Sequence, residues 1–205
     1  PAEGEQSPPL PLLTEIRQLR ELTSAEAARG YPVEIIAVTT FLDPTWKSLY
    51  VQDATGGIVA RPADGSVSWP VGQRVRITGV SASGTSMPFI SQARVLELGA
   101  DRLPGAKPVT FEHLASNAEV CNWVETRGTV RAAAAQGERL VLEIAAEKRR
   151  LRAIIYDVAS FHKDATEFVD AEVRLHAVCG AVSKSPNSKL LMDLFVPSIT
   201  NLVIT

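Results

Sequence analysis

The chain writes one pattern twice. Val33-Glu34 corresponds to Val124-Glu125, Ala37 to Gly128, and Leu49-Tyr50-Val51 to Leu140-Val141-Leu142, all at an offset of 91. Val71, Val75-Arg76-Ile77 and Val80 correspond to Val169, Val173-Arg174-Leu175 and Val178 at an offset of 98. The shift of seven falls between the second and fourth strand-like runs, where an insertion would sit. Leu22 and Ser24 match Leu114 and Ser116, which extends the duplication to a lead-in helix. Ordered matches of this kind restrict the chain to two structural units of one design.

The first copy shows what the unit contains. Leu12 to Leu22 carries Leu12, Ile16 and Leu19 at helical spacing with Thr14 as a candidate N-cap, and Thr23 to Gly30 reads as a second short helix closed by glycine. A β-branched strand follows from Tyr31 to Phe41, then an Asp43-Pro44 loop. Ser48 to Pro62 is a hairpin: Leu49-Tyr50-Val51 and Ile58-Val59-Ala60 flank Asp53-Ala54-Thr55-Gly56-Gly57, whose glycines tolerate positive φ and whose Asp53 can hydrogen-bond the turn. Arg74 to Val80 and Pro88 to Leu98 complete five strands. In the second copy Glu147-Lys148-Arg149-Arg150 replaces the Asp-x-x-Gly-Gly corner, and Ser160 to Phe168, which could be helical, fills the gap between third and fourth strands.

Five strands in roughly 70 residues, interrupted between the third and fourth, match the strand content of an OB-fold barrel. The predicted fold is mainly β: two tandem five-stranded OB-fold-like Greek-key barrels, each preceded by a short helix. The expected organisation is a flexible Pro- and Glu-rich tail over 1–11, a first barrel with lead-in helices over 12–99, a Pro/Gly linker over 100–110 and a second barrel over 111–205.

The composition narrows the function. Net charge is −2, with 9 Lys+Arg against 11 Asp+Glu in residues 1–105 and 12 against 12 in 106–205. A protein that grips nucleic acid through its phosphates usually carries a basic excess, so nucleic acid is a possible but disfavoured partner. No apolar run approaches the roughly 18 residues of a membrane span, so any membrane attachment would run through segments outside this sequence. The chain opens without Met, as a mature chain after signal removal would, or an excised piece. Cys121 and Cys179 lack metal-site spacing and are either two buried thiols or one disulfide.

No nucleophile, base and stabiliser can be assembled into a catalytic site, and no cofactor or metal site is expected. His113, His162 and His176 read as surface or structural histidines, and His162 with Asp164 and Glu167 would leave a metal incompletely coordinated. Glu34 and Glu125 recur on the first strand of each copy and suit pairing with a neighbouring-strand Arg76 or Arg174. Strand alternation turns Tyr50 outward, so exposed Tyr50 with Trp46 and Arg61 forms the candidate ligand-binding patch of the first barrel. In the second barrel the candidate is the basic corner Lys148, Arg149, Arg150 and Arg152.

The run from Leu22 to Ala60 resembles the paired OB-like modules in extracytoplasmic regions of bacterial membrane histidine kinases. The resemblance rests on Tyr31-Pro32-Val33, Val38-Thr39-Thr40-Phe41, Asp43-Pro44 and Tyr50-Val51-Gln52-Asp53-Ala54-Thr55-Gly56-Gly57, and in the second copy on Phe111 to Ala115 and Trp123 to Val130. It implies a periplasmic, non-enzymatic sensing module of a signal-transduction protein, binding a small ligand or a protein partner. The alternative is a tandem OB-fold protein that binds single-stranded nucleic acid.

Overall fold

The computed structural model describes residues 9–65, 69–146, 149–158, 164–184 and 190–205. The predicted hairpin forms β2 (Ser48–Gln52) and β3 (Gly57–Pro62), with Leu49 opposite Ala60 and Gln52 opposite Gly57. Leu49, Val51, Ile58 and Ala60 point inward and are fully buried. Together with β1 (Pro32–Asp43), β4 (Gln73–Ala82) and β5 (Phe89–Ala100) the hairpin closes a barrel in the order β1-β2-β3-β5-β4. β3 and β5 pair in parallel, which closes the ring.

The second copy repeats this circuit. After β6 (Lys107–Pro108), β7 (Trp123–Gln136) pairs with β8 (Arg139–Ala146), β8 with β9 (Arg149–Asp157), and β9 in parallel with β11 (Leu190–Ser198). β11 pairs with β10 (Glu172–Lys184), and β10 returns to β7. A short last strand, β12 (Leu202–Ile204), adds to β10.

The ladders reproduce the offsets read from the sequence. Glu34 faces Thr78 and Ala37 faces Val75; in the second barrel Glu125 faces His176 and Gly128 faces Val173. Each first strand also bulges at the same place, between Thr39 and Phe41 and between Val130 and Ala132.

That bulge decides where one large ring goes. Val33, Ile35 and Ala37 point into the first core, and strict alternation would send Phe41 after them. The extra residue reverses the faces, so Leu42 packs on the core while Phe41 leaves it. Phe41 is 1% exposed, buried against the other barrel, where it stacks on Phe195 at 5.2 Å and meets Tyr156 edge-on at 4.7 Å. Its counterpart in the second copy is Ala132, which is exposed, so the seam between the barrels is not symmetric.

The lead-in helices are shorter than predicted. α1 spans Ile16–Arg20, with Glu15 rather than Thr14 as N-cap, and Leu13 rather than Leu12 joins Ile16 and Leu19 in the core. The cause lies in the hairpin corner: Asp53 Oδ2 accepts from the Ile16 N–H at 2.9 Å and Thr55 Oγ1 from that of Arg17 at 3.0 Å, which fixes the first turn. α2 (Ser24–Ala27) follows, capped by Thr23. α3 (Phe111–Leu114) buries Phe111 and Leu114 at the spacing of Ile16 and Leu19. The backbone just ahead of each helix, at Leu13 and at β6, lies parallel to the first strand of its barrel. The duplicated helix is therefore α1 with α3, and the Leu22/Ser24 match to Leu114/Ser116 does not describe it.

The expected linker is partly structured, because β5 runs on to Ala100 and β6 pairs with β7. Of the Ser160 to Phe168 segment, Ala165–Phe168 forms a single 3-10 turn capped by Asp164, and residues 160–163, with His162, lie outside the described residues. Residues 1–8 of the expected tail lie outside them as well, while Leu10 packs on the first core.

Candidate functional site

The β1–β2 loop and the loop joining β4 to β5 rise on either side of the β2–β3 face of the first barrel, and the second barrel walls off one end. The cleft between them has a volume of about 500 Å³ and is lined by Trp46, Tyr50, Arg61, Met87 and Phe89 from one barrel and by Cys121 from the other. Trp46 is positioned by a turn: the buried Asp43 carboxylate accepts from the Thr45 and Trp46 N–H groups at 2.8 and 3.1 Å. The indole itself is 73% exposed. Arg61, on β3, lays its guanidinium over the Phe89 ring at 4.3 Å, a cation–π pair at the rim.

The sequence-predicted trio of Trp46, Tyr50 and Arg61 thus lines one cleft, with one correction. Tyr50 does point away from its own core, but the second barrel covers it: its ring lies 5.7 Å from Phe195 of that barrel, beside Phe41 of its own at 5.5 Å. Burial raises its hydroxyl pKa, so it stays a neutral phenol. It forms the floor of the cleft rather than an exposed platform. Alternation identifies the outward face of a strand and cannot say that another barrel occupies it.

The floor continues into the seam. Gln52 Oε1 accepts from the Trp123 N–H at 2.6 Å, and Asn122 Oδ1 from that of Gly57 at 2.7 Å. Arg20 donates to the carbonyls of Gly57, Val120 and Ala118, so one guanidinium ties α1 and the hairpin to the second barrel. Gly57 is required by this approach rather than by a positive φ, because a Cβ there would lie 2.0 Å from the Cys121 carbonyl oxygen. Behind Asn122 sits Glu119, 3% exposed. Its carboxylate takes Lys107 Nζ at 2.5 Å, His113 Nε2 at 2.7 Å and Asn122 Nδ2 at 2.7 Å. Burial alone would raise its pKa; these hydrogen bonds outweigh it and hold the value down at about 2.

Both cysteines are free and buried, of the two arrangements open from the sequence. Burial pushes each thiol up to about 12, so neither is a thiolate at neutral pH. Cys121 Sγ lies 3.6 Å from Met87 Sδ in the cleft wall.

The basic corner of the second barrel is largely self-neutralised. Arg152 pairs bidentately with Asp193 at 2.7 Å, and Arg150 pairs with Glu143. Arg149 is exposed, and Lys148 lies outside the described residues. Arg139, which carried no signal in the sequence, reaches across the seam to Thr45 Oγ1 at 2.9 Å and lies over Tyr156 at 4.4 Å.

The remaining candidates serve structure. Asp53 Oδ1 holds the hairpin corner through Thr55 and Gly56. Glu34 lies 3.7 Å from Arg76 as expected, but Glu125 pairs with His176 and Arg127 rather than with Arg174. His113 is held by Glu119. Among the described residues, no group of His, Cys, Asp and Glu is arranged to hold a metal ion, and no helix is long and apolar enough to cross a membrane.

No family model and no curated protein matches the chain. Solved structures similar to it include an aspartyl tRNA synthetase from Entamoeba histolytica, at 17% identity and a TM-score of 0.38 over 49% of this chain. The match spans about a fifth (21%) of the synthetase. A murine DNA binding protein bound with double-stranded DNA is similar at 10% identity and a TM-score of 0.38, over 80% of this chain and 90% of that one. The p202 HIN1 domain in complex with 12-mer double-stranded DNA is similar at 10% identity and 0.37, over 78% and 87%. Likeness at this level does not reach function.

Proposed function

We propose that the chain is a non-enzymatic binding module whose cleft takes a short single-stranded nucleic-acid segment. The observation that carries this reading is an exposed indole on the β1–β2 loop and an arginine–phenyl pair at the rim, both beside the β2–β3 face of an OB-fold barrel. That face and those loops are where OB-folds take oligonucleotides. A base stacked on Trp46 would contribute about 1–3 kcal/mol, while the rim guanidinium of Arg61 can meet a phosphate. The even charge balance argues against binding dominated by phosphates, and stacking needs no basic excess. With about two phosphate contacts, log affinity would fall with log salt at a slope of only about −1.4.

Anisotropy of a labelled oligothymidylate tests this. Binding is expected at about 50 mM salt with that shallow slope, and Trp46→Ala should weaken it by about 5- to 100-fold. Absence of binding at low salt, or an unchanged affinity in Trp46→Ala, would remove the reading.

The size of the cleft favours a second reading. A volume of about 500 Å³ suits a small molecule. This is how the cleft would serve in the periplasmic sensor implied by the sequence resemblance. A small ligand that changes the tryptophan fluorescence of wild type but not of Trp46→Phe, in a chain that binds no oligonucleotide, would favour it.

A further inference from the structure

We propose that the binding track crosses the seam and continues onto the second barrel, where Arg139 stacked on Tyr156 forms a second platform for a base. The inference rests on the reading of the cleft as a nucleic-acid groove.

The first observation is a repeated arrangement. On the first barrel Arg61 lies over Phe89 at 4.3 Å, and on the second Arg139 lies over Tyr156 at 4.4 Å. A guanidinium over a ring can offer its plane to a base and its edges to phosphate oxygens. The second observation is the position of that pair. Arg139 opens β8 directly after the β7–β8 turn, the counterpart of the loop that carries Trp46, and Tyr156 lies on β9, in the β8–β9 face that corresponds to the cleft floor. The two loops touch: Arg139 Nη2 donates to Thr45 Oγ1, and Thr45 is the chain neighbour of Trp46. A strand leaving Trp46 therefore meets Arg139 across a single side-chain contact.

The third observation concerns donors. Arg139 uses one of the five guanidinium N–H groups on Thr45, a neutral hydroxyl. Arg152 and Arg150 on the same face are instead engaged with the carboxylates of Asp193 and Glu143. A phosphate would have to displace a carboxylate at either of those, so of these three arginines Arg139 is the one poised to take one.

The test measures anisotropy with labelled oligothymidylates of about 4 and about 12 nucleotides, one at the short end of OB-barrel site sizes and one well within their range. It uses the full chain and its Trp46→Ala, Arg139→Ala and Arg139→Lys variants, each checked for an unchanged unfolding midpoint. Wild type should bind the longer strand more tightly than the shorter. Arg139→Ala should weaken the longer strand by about 5- to 100-fold and leave the shorter within about twofold. Arg139→Lys, which keeps the charge and loses the plane, should behave like Arg139→Ala.

A longer strand bound by Arg139→Ala as by wild type overturns the proposal. So does an equal loss at both lengths, which would mean that Arg139 acts only by holding the Trp46 loop. Failure of the groove itself looks different: neither strand binds wild type, or Trp46→Ala leaves both affinities unchanged.

Discussion

Replacing Glu119 by Gln should remove a pH-dependent part of the protein's stability. In the folded chain the carboxylate is held near a pKa of about 2 against an ordinary 4.5. A difference of that size is worth about 3 kcal/mol in favour of the folded state when the group is ionised in both states. The sign follows from the depression. The stabilisation is fully present above about pH 4.5, where the unfolded chain is also ionised, and is lost as pH falls toward 2, where the folded carboxyl takes up its proton. Gln keeps an acceptor for Lys107 or His113 but has no charge to titrate, and its amide brings N–H groups toward donors that already face that site. Urea unfolding of wild type and Glu119→Gln at pH 7 and pH 2.5 gives the double difference, in which other depressed carboxylates such as Glu125 cancel. The variant should be less stable by about 3 kcal/mol at pH 7, and the gap should shrink to about 1 kcal/mol or less at pH 2.5. A gap of the same size at both pH values would show that the charge on Glu119 is not what stabilises this corner of the seam.

Substitutions at Gly57 and Asp53, each with its control, probe the approach of the barrels and the hairpin corner. Gly57→Ala places a methyl 2.0 Å from the Cys121 carbonyl oxygen, so the seam must shift; a loss above about 2 kcal/mol is expected by denaturant titration. Gly105→Ala, with nothing near its Cβ position, should stay within about 0.5 kcal/mol and serves as the control, and equal behaviour of the two would refute the close approach. Asp53→Ala removes the acceptor for Thr55, Gly56 and Ile16 and should cost about 2 kcal/mol or more, whereas Asp53→Asn, which keeps an oxygen for the corner, should cost less. Calorimetry showing equal midpoints for wild type and Asp53→Ala would sink that account.

The sequence by itself determined the barrel and its duplication. Period-two alternation at Leu49, Val51, Ile58 and Ala60 identifies a strand face that must be buried, and a shift of one residue would turn that face to water, so the ladder registers follow the repeat offsets. Asp53 before Gly56-Gly57 was legible for the same reason: it is a contact between chain neighbours. Tyr50 and Arg61 could be gathered on one face because strand geometry fixes which way they point, and Trp46 joins them through the short Asp43-Pro44 turn beside that face.

Only the tertiary structure decided what that face meets. The bulge at Thr40 that sends Phe41 outward leaves no pattern in composition, because it depends on one unpaired residue in a ladder. Arg20 and Asn122 join segments about 40 to 100 residues apart in the chain, and Arg139 reaches Thr45 over 94 positions. Alternation and turn chemistry act over two to five residues, whereas the seam selects its partners by the surfaces that two finished barrels present to each other. The cleft, its covered tyrosine and the second arginine–aromatic pair exist only once those barrels have docked.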